Sequence, residues 1–337
     1  GRRRGRAVLL RGDMDALPLT ETSSNRNDAP PPSTIDGVAH ACGHDLHVAG
    51  VVGAAHLLAA RRDELDGDVV LMFQPGEEGY DGARYMIDEG VLDAAGPRVS
   101  AAYALHVMAS AVPHGVFATR PGPVLSASDY ATVTVTGVGG HSAQPHLAAD
   151  PLPAACAMVT TIQTRIARSI DVFDPVIIGV GRFEAGTAAA IIPTTARFEA
   201  TLRSFSAAGR ERAVALLRDV CTGVAATYGV TVDVEVSSGY GPTINTADEV
   251  DRVERTVTEV FGAERFLRWD APWPASEDFS RVLDEVPGAF VGLGACPPAA
   301  DPAACVNNHA GGAFFDESVI ADAATLLAEL AIRRLAT

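Results

Sequence analysis

Asp68-Val-Val-Leu-Met-Phe-Gln-Pro-Gly-Glu-Glu-Gly79 decides how this chain is read, because an apolar run ends there in a tight, doubly acidic loop. The run 69–73 predicts a buried strand, and the Pro-Gly pair a turn. Working outward, 7–10 and 99–106 are further apolar runs, and 48–60 and 82–89 are helix-like stretches between them. Such alternation predicts an α/β layer structure. Open sheets of that kind carry their functional loops at strand ends.

The Pro-Gly-Pro at 121–123 interrupts this pattern. Residues 130–136 then alternate with period two, as a half-exposed strand does. A helix is predicted over 151–168, strands over 176–184 and 194–204, a helix over 207–228 and a strand over 231–236. The order βαββαβ in roughly 110 residues matches a ferredoxin-like module. From 237 the chain returns to helices and short strands, including 290–293 and a closing helix over 317–335. The reading is one α/β domain, residues 1–120 and 238–337, interrupted by a smaller α+β domain, 121–237. No repeat or low-complexity segment interrupts it, apart from a proline-rich stretch at 29–32.

Composition narrows the chemistry. The 337 residues, 47% apolar, are enough for two domains. All 26 basic residues are Arg, which removes Schiff-base chemistry and the Lys of a phosphate-binding P-loop. A net charge of 26 − 42 = −16, with no basic run beyond 2–4, argues against a nucleic-acid partner. Five scattered Cys do not make a secreted disulfide framework, so a reducing, cytoplasmic setting is expected. No apolar run reaches the roughly 18–20 residues of a membrane helix, and none reads as a signal peptide. The chain starts with Gly close to a strand, which predicts that an N-terminal piece is missing.

His40, Cys42, His44 and His47 fall within eight residues. Clusters of this kind hold metal ions, and thiolate plus imidazole suits Zn, Mn, Co and similar ions. Cys42 and His44 share a side if the segment is extended. A helix N-terminus capped by Asp45 is the competing reading, and it applies most to His40 and His47. Glu77 and Glu78 repel each other unless a cation intervenes; one can then ligate while the other takes a proton. Asp13 and Asp15 end a strand on one side, and by themselves read equally as turn residues. His106, His141 in Gly139-Gly140-His141-Ser142, and His309 after Asn307-Asn308 are each ambiguous alone. No Gly-x-Ser-x-Gly elbow supports a serine hydrolase.

Taken in order, RGDMDALPLTE (11–21), HACGHDLHV (40–48), FQPGEEG (73–79), LHV (105–107), GVGGHSAQPH with ADP (137–151), SEDFS (276–280) and NNHAGGAFFDE (307–317) span nearly the whole chain. The set resembles the metal-dependent amidohydrolases of the M20 peptidase family, in its aminoacylase-like branch of hippurate and auxin-conjugate hydrolases. The resemblance implies a mixed-sheet, zinc-peptidase-like catalytic domain with the inserted module as lid and dimerisation domain. It makes Cys42, His44, Glu78, His106 and His309 the ligands of a two-metal centre, Glu77 the general base and Asp15 the carboxylate that orients a ligand. His141 is expected to reach the partner subunit's site and polarise the scissile carbonyl, which implies a homodimer.

Two departures stand out. Family members carry a further N-terminal segment, and Ala190 stands where an Asn usually precedes the Ile-Pro of the lid. Arg203 is the substitute candidate for holding a substrate carboxylate, with an ordinary surface Arg as the alternative. On the resemblance, two divalent ions, Mn or Zn with Co or Ni as further candidates, activate a bridging water whose proton goes to Glu77. The implied reaction is hydrolysis of an N-acyl amino acid to a carboxylic acid and an amino acid. A dipeptidase or carboxypeptidase using the same centre, or a non-catalytic metal-binding remnant, are the alternatives. Pro272, Trp273 and Phe279 are candidates to line the pocket; Cys156, Cys221, Cys296 and Cys305 are expected to be small buried residues.

Overall fold

The structure is a computed structural model that describes residues 5–22 and 32–337. The basic run 2–4 and the stretch 29–31 lie outside the described residues. The chain forms two compact units: Gly1–Val124 with Thr243–Pro272 and Asp278–Thr337, and Leu125–Pro242 with Trp273–Glu277. Near the crossings, the strand Gly122–Leu125 pairs with Thr243–Asn245. The motif 276–280 is divided between the units, which its sequence does not signal.

The first unit is built on a six-stranded sheet in the order Phe266–Arg268, Phe117–Thr119, Gly288–Gly294, Ala101–Met108, Ala7–Asp13, Asp68–Gln74. It is mixed, because Gly288–Gly294 runs parallel to Ala101–Met108 and antiparallel to Phe117–Thr119. Ala7–Asp13 is buried at every residue, as central strands covered on both faces must be. The helices His44–Ala60 and Ile320–Leu335 contact that strand and each other. Val8, Leu10, Val51, Tyr103 and Leu326 belong to the shared apolar core. In the parallel register Asp13 faces Gln74, so the acidic loop and Asp15 leave the sheet side by side at its carboxyl end.

The second unit pairs Thr231–Ser238, Ala127–Thr136, Thr195–Ser204 and Val176–Ala185, in that order and all antiparallel. Its helices Pro151–Ser169 and Ala207–Tyr228 pack on the apolar residues of the sheet, with Met158, Ile162, Phe198 and Leu217 in one cluster. Asp150 and Ser206 start these helices by accepting from Leu152 N–H and Gly209 N–H, each relieving an unpaired amide of the first turn. This is the βαββαβ order read above. Among the described residues no helix is long and apolar enough to cross a membrane.

Candidate metal centre

Gly43 makes the first part of the site possible. It adopts φ 79°, and a Cβ there would lie 2.4 Å from Val107 Cγ2. Only glycine fits that turn, which starts the helix at His44 and leaves Cys42 just before it. His44 is fully buried and Cys42 is 6% exposed.

Five of the residues singled out in the sequence come together at this end of the sheet. Cys42 Sγ lies 3.4 Å from His106 Nε2 and 3.2 Å from His309 Nε2. His309 Nε2 is 3.0 Å from Glu78 Oε1, which is 4.0 Å from His44 Nε2. Two groups able to hold an ion, Cys42–His44–His106 and Cys42–Glu78–His309, share the cysteine. Glu77 joins His44 and Glu78 in a third. Asp15 accepts from the amides of Glu77 and Glu78, both at 3.0 Å, and its Oδ1 lies 3.5 Å from His44 Nδ1. It therefore ties the acidic loop to the helix start.

The donor set fits divalent ions. No well-aligned hydrogen bond reaches either ring nitrogen of His44 or Oε1 of Glu78, although all three atoms are buried and their polar neighbours lie 3.0 to 3.5 Å away. Orphaned polar atoms are costly in an interior unless a ligand meets them. The electrostatics agree. Burial opposes a charge on His44, yet the Asp13 carboxylate raises its pKa to about 9. Burial, then Glu78 and Glu77, push the Cys42 thiol well above its usual range. The carboxylates thus hold protons where cations would compensate them, and a metal ion favours the thiolate instead.

His47 is not part of the ring. Its Nε2 accepts from Val107 N–H at 2.8 Å, so the proton sits on Nδ1, 2.5 Å from Asp13 Oδ1. Asp13 also accepts from Arg11 Nη1 at 2.6 Å, and Arg11 reaches Asp278 at 3.1 Å. This fully enclosed network was not read from the sequence. The i, i+3 spacing of His44 and His47 on one helix face was the available signal. His40 is exposed and belongs to no candidate group among the described residues.

The remaining candidates lie in the second unit. His141 is exposed on the short strand Gly140–His141, and its Nδ1 accepts from Ala143 N–H at 3.0 Å. Ser142 N–H donates to the carbonyl of Ala190 at 3.1 Å, so Ala190 lies beside this His segment. Arg203 is half-buried, and its Nη1 donates to Ser276 Oγ at 2.9 Å. Two minor expectations are corrected. Phe279 is fully buried core rather than open pocket wall. Cys156 is exposed on the outer face of its helix and Cys305 is half-exposed, while Cys221 and Cys296 are buried.

Known proteins resemble this chain along most of its length. Residues 9–333 match the model of peptidase family M20/M25/M40. Thermostable carboxypeptidase 2 of Saccharolobus solfataricus is 36% identical over 340 residues, covering 99% of this chain and 82% of that protein. N-acetylcysteine deacetylase of Bacillus subtilis is 33% identical over 300 residues, covering 87% and 74%. A crystal structure of a dinuclear metal binding peptidase of the M20 family from Bacillus subtilis superposes with a TM-score of 0.83 at 29% identity, covering 100% of this chain and 83% of that one. The chain belongs to the M20 peptidase family and is a metal-dependent amidohydrolase.

Proposed function

We propose that the chain hydrolyses the amide bond of N-acyl amino acids, releasing a carboxylic acid and a free amino acid. The observation that carries this reading is the ring of Cys42, His44, Glu78, His106 and His309, with its orphaned buried donors, beside the second carboxylate of Glu77. These five residues would hold two divalent ions, Mn or Zn foremost. Such ions, when bound, polarise an amide oxygen and make water a stronger nucleophile at neutral pH.

The protein side of the mechanism follows from its own groups. Glu77 takes a proton from the attacking water and passes it to the leaving amine. Asp15 keeps that carboxylate in place through the loop amides. His141 accepts at Nδ1, so its proton is on Nε2, where it can donate to a developing oxyanion. Arg203 offers a planar fork for the carboxylate of the amino acid, in place of the Asn that Ala190 replaces. In this reading residues 121–237 act as lid and dimerisation domain, and His141 serves the partner subunit of a homodimer.

A second reading has support of its own. The carboxypeptidase relative, at 36% identity, favours release of a C-terminal residue from a peptide by the same groups. Hydrolysis of N-acetyl- and N-benzoyl-amino acids, free dipeptides and blocked peptides by the Mn- or Zn-loaded chain separates the two, with Glu77→Ala as the blank. Metal-dependent turnover of acyl amino acids above the blank is the expected result. Turnover of peptides alone selects the second reading, and turnover of neither in a metal-loaded chain overturns both.

A further inference from the structure

We propose that Asn308 is a positioning residue of the metal centre, joining the Cys42, His106 and His309 segments and donating an N–H to the Cys42 sulfur. The inference rests on the two-ion reading above. Cys42, His106 and His309 come from distant parts of the chain, and His309 is 54% exposed with φ 66°. A left-handed, exposed histidine needs its neighbours to hold it. Its own amide donates to Ala41 O at 2.8 Å. The side chain just before it does the rest.

Asn308 Oδ1 accepts from Ala109 N–H at 2.9 Å. That bond settles which end of the amide is oxygen, because a backbone N–H can only donate. Nδ2 then faces Val107 O at 3.2 Å, Cys42 O at 3.4 Å and Cys42 Sγ at 3.8 Å. Its two hydrogens are shared among three acceptors. Val107 O also accepts from His106 Nδ1 at 2.8 Å, which leaves Nε2 of that ring unprotonated and facing Cys42 Sγ. One carbonyl thus sets the His106 tautomer and anchors Asn308. Asn307 ties down the same segment by accepting from Ser110 Oγ at 2.9 Å.

The chemistry requires an amide here. An N–H near a thiolate lowers the energy of the sulfur lone pairs and fixes their direction, as outer partners of metal ligands do. Asp has the same shape and keeps the acceptor for Ala109 N–H, but turns a negative charge toward a thiolate and two carbonyls. Ala keeps neither bond.

The test compares the full chain with Asn308→Ala and Asn308→Asp. Each is titrated with Co²⁺ against a competing chelator, with the thiolate-to-cobalt charge-transfer band recorded and the apo melting temperature as a fold control. Both variants are expected to bind Co²⁺ about 10–100-fold more weakly. In Asn308→Ala the band should move to lower energy, because the sulfur has lost its donor. Wild-type affinity with an unshifted band overturns the proposal. So does weaker binding with an unshifted band and a lowered apo melting temperature, which marks a role in folding alone. A wild-type chain that binds no Co²⁺ overturns the two-ion reading together with this one.

Discussion

The two units bury their strands in opposite ways. Ala7–Asp13 and Gly288–Gly294 are buried at every residue. Ala127–Thr136 and Thr195–Ser204 largely alternate, with one face on helices and the other toward water. The difference decides where polar groups can do chemistry. On strands buried throughout, a charged side chain cannot turn to solvent, so it must be paired or meet an ion. Arg11, Asp13 and His44 show this state. In the second unit Arg182 meets Glu184 and Glu199 in the open, and His141 is exposed. The first unit encloses its charged groups, and the second leaves its own open to solvent.

The sharpest way to break this contrast is at Glu77, the carboxylate proposed as general base. Glu77→Gln should lower turnover by about 10²–10⁴-fold, while metal content and melting temperature stay as in the wild type. Steady-state kinetics with metal analysis checks it, and a proportional loss of metal would make Glu77 a ligand instead of the base.

A second comparison sets a buried cation against an exposed one. Arg11→Met strands Asp13 and Asp278, which it now pairs at 2.6 and 3.1 Å, and should cost about 3–5 kcal/mol. Arg182→Met, in an ion pair whose side chains are more than half exposed, should cost far less, because solvent screens such a pair. Urea unfolding of both variants reads the difference; equal losses would remove the distinction between the units.

Helix packing gives a smaller effect of opposite sign. A Cβ on Gly53 would lie 2.7 Å from Ala324 Cβ, whereas one on Gly223 meets nothing within 4 Å. Gly53→Val should destabilise by about 1–3 kcal/mol, and Gly223→Ala should stabilise by about 0.4–1 kcal/mol. Thermal unfolding shows whether the two changes move in opposite directions.

The smallest expected effect is a pH dependence. Burial opposes the charge on Glu329, but Arg61 and Arg333 hold its pKa below the ordinary 4.5. A depressed carboxylate contributes stability above its unfolded pKa and loses it as pH falls through the folded value. Glu329→Gln should therefore cost under about 1 kcal/mol at pH 7, and the gap to wild type should close as pH falls below 4.5 and through the depressed folded value. A gap that persists in acid would mean that the ion pairs are not its source.

Much of this was legible in the residues. Apolar runs such as 69–73 and the alternation at 130–136 carry the periods of doubly and singly covered strands, so the α/β framework and the βαββαβ insertion could be read directly. Cys42 and His44 announced themselves by clustering. His106 and His309 did not, since a single His carries no period and no spacing; only their match to a family pattern raised them. The Arg11–Asp13–His47 network was not legible as a unit, because each member reads as an ordinary polar residue until the fold encloses it, even though His47 sits at i+3 from His44. Asn308 was invisible for a related reason: its partners lie about 200 and 266 residues away.

By itself, the sequence determined the layer order, the interruption by a second unit and the chemical kind of the site, because hydrophobic period and residue type are local properties. Tertiary structure alone decided which histidines face the cysteine, which is locked away by Asp13, and which amide joins three distant segments. Those depend on the parallel register that aligns Asp13 with Gln74, and on the turn at Gly43 that starts the helix at His44. Register and turn bring together atoms whose order along the chain says nothing of their distance.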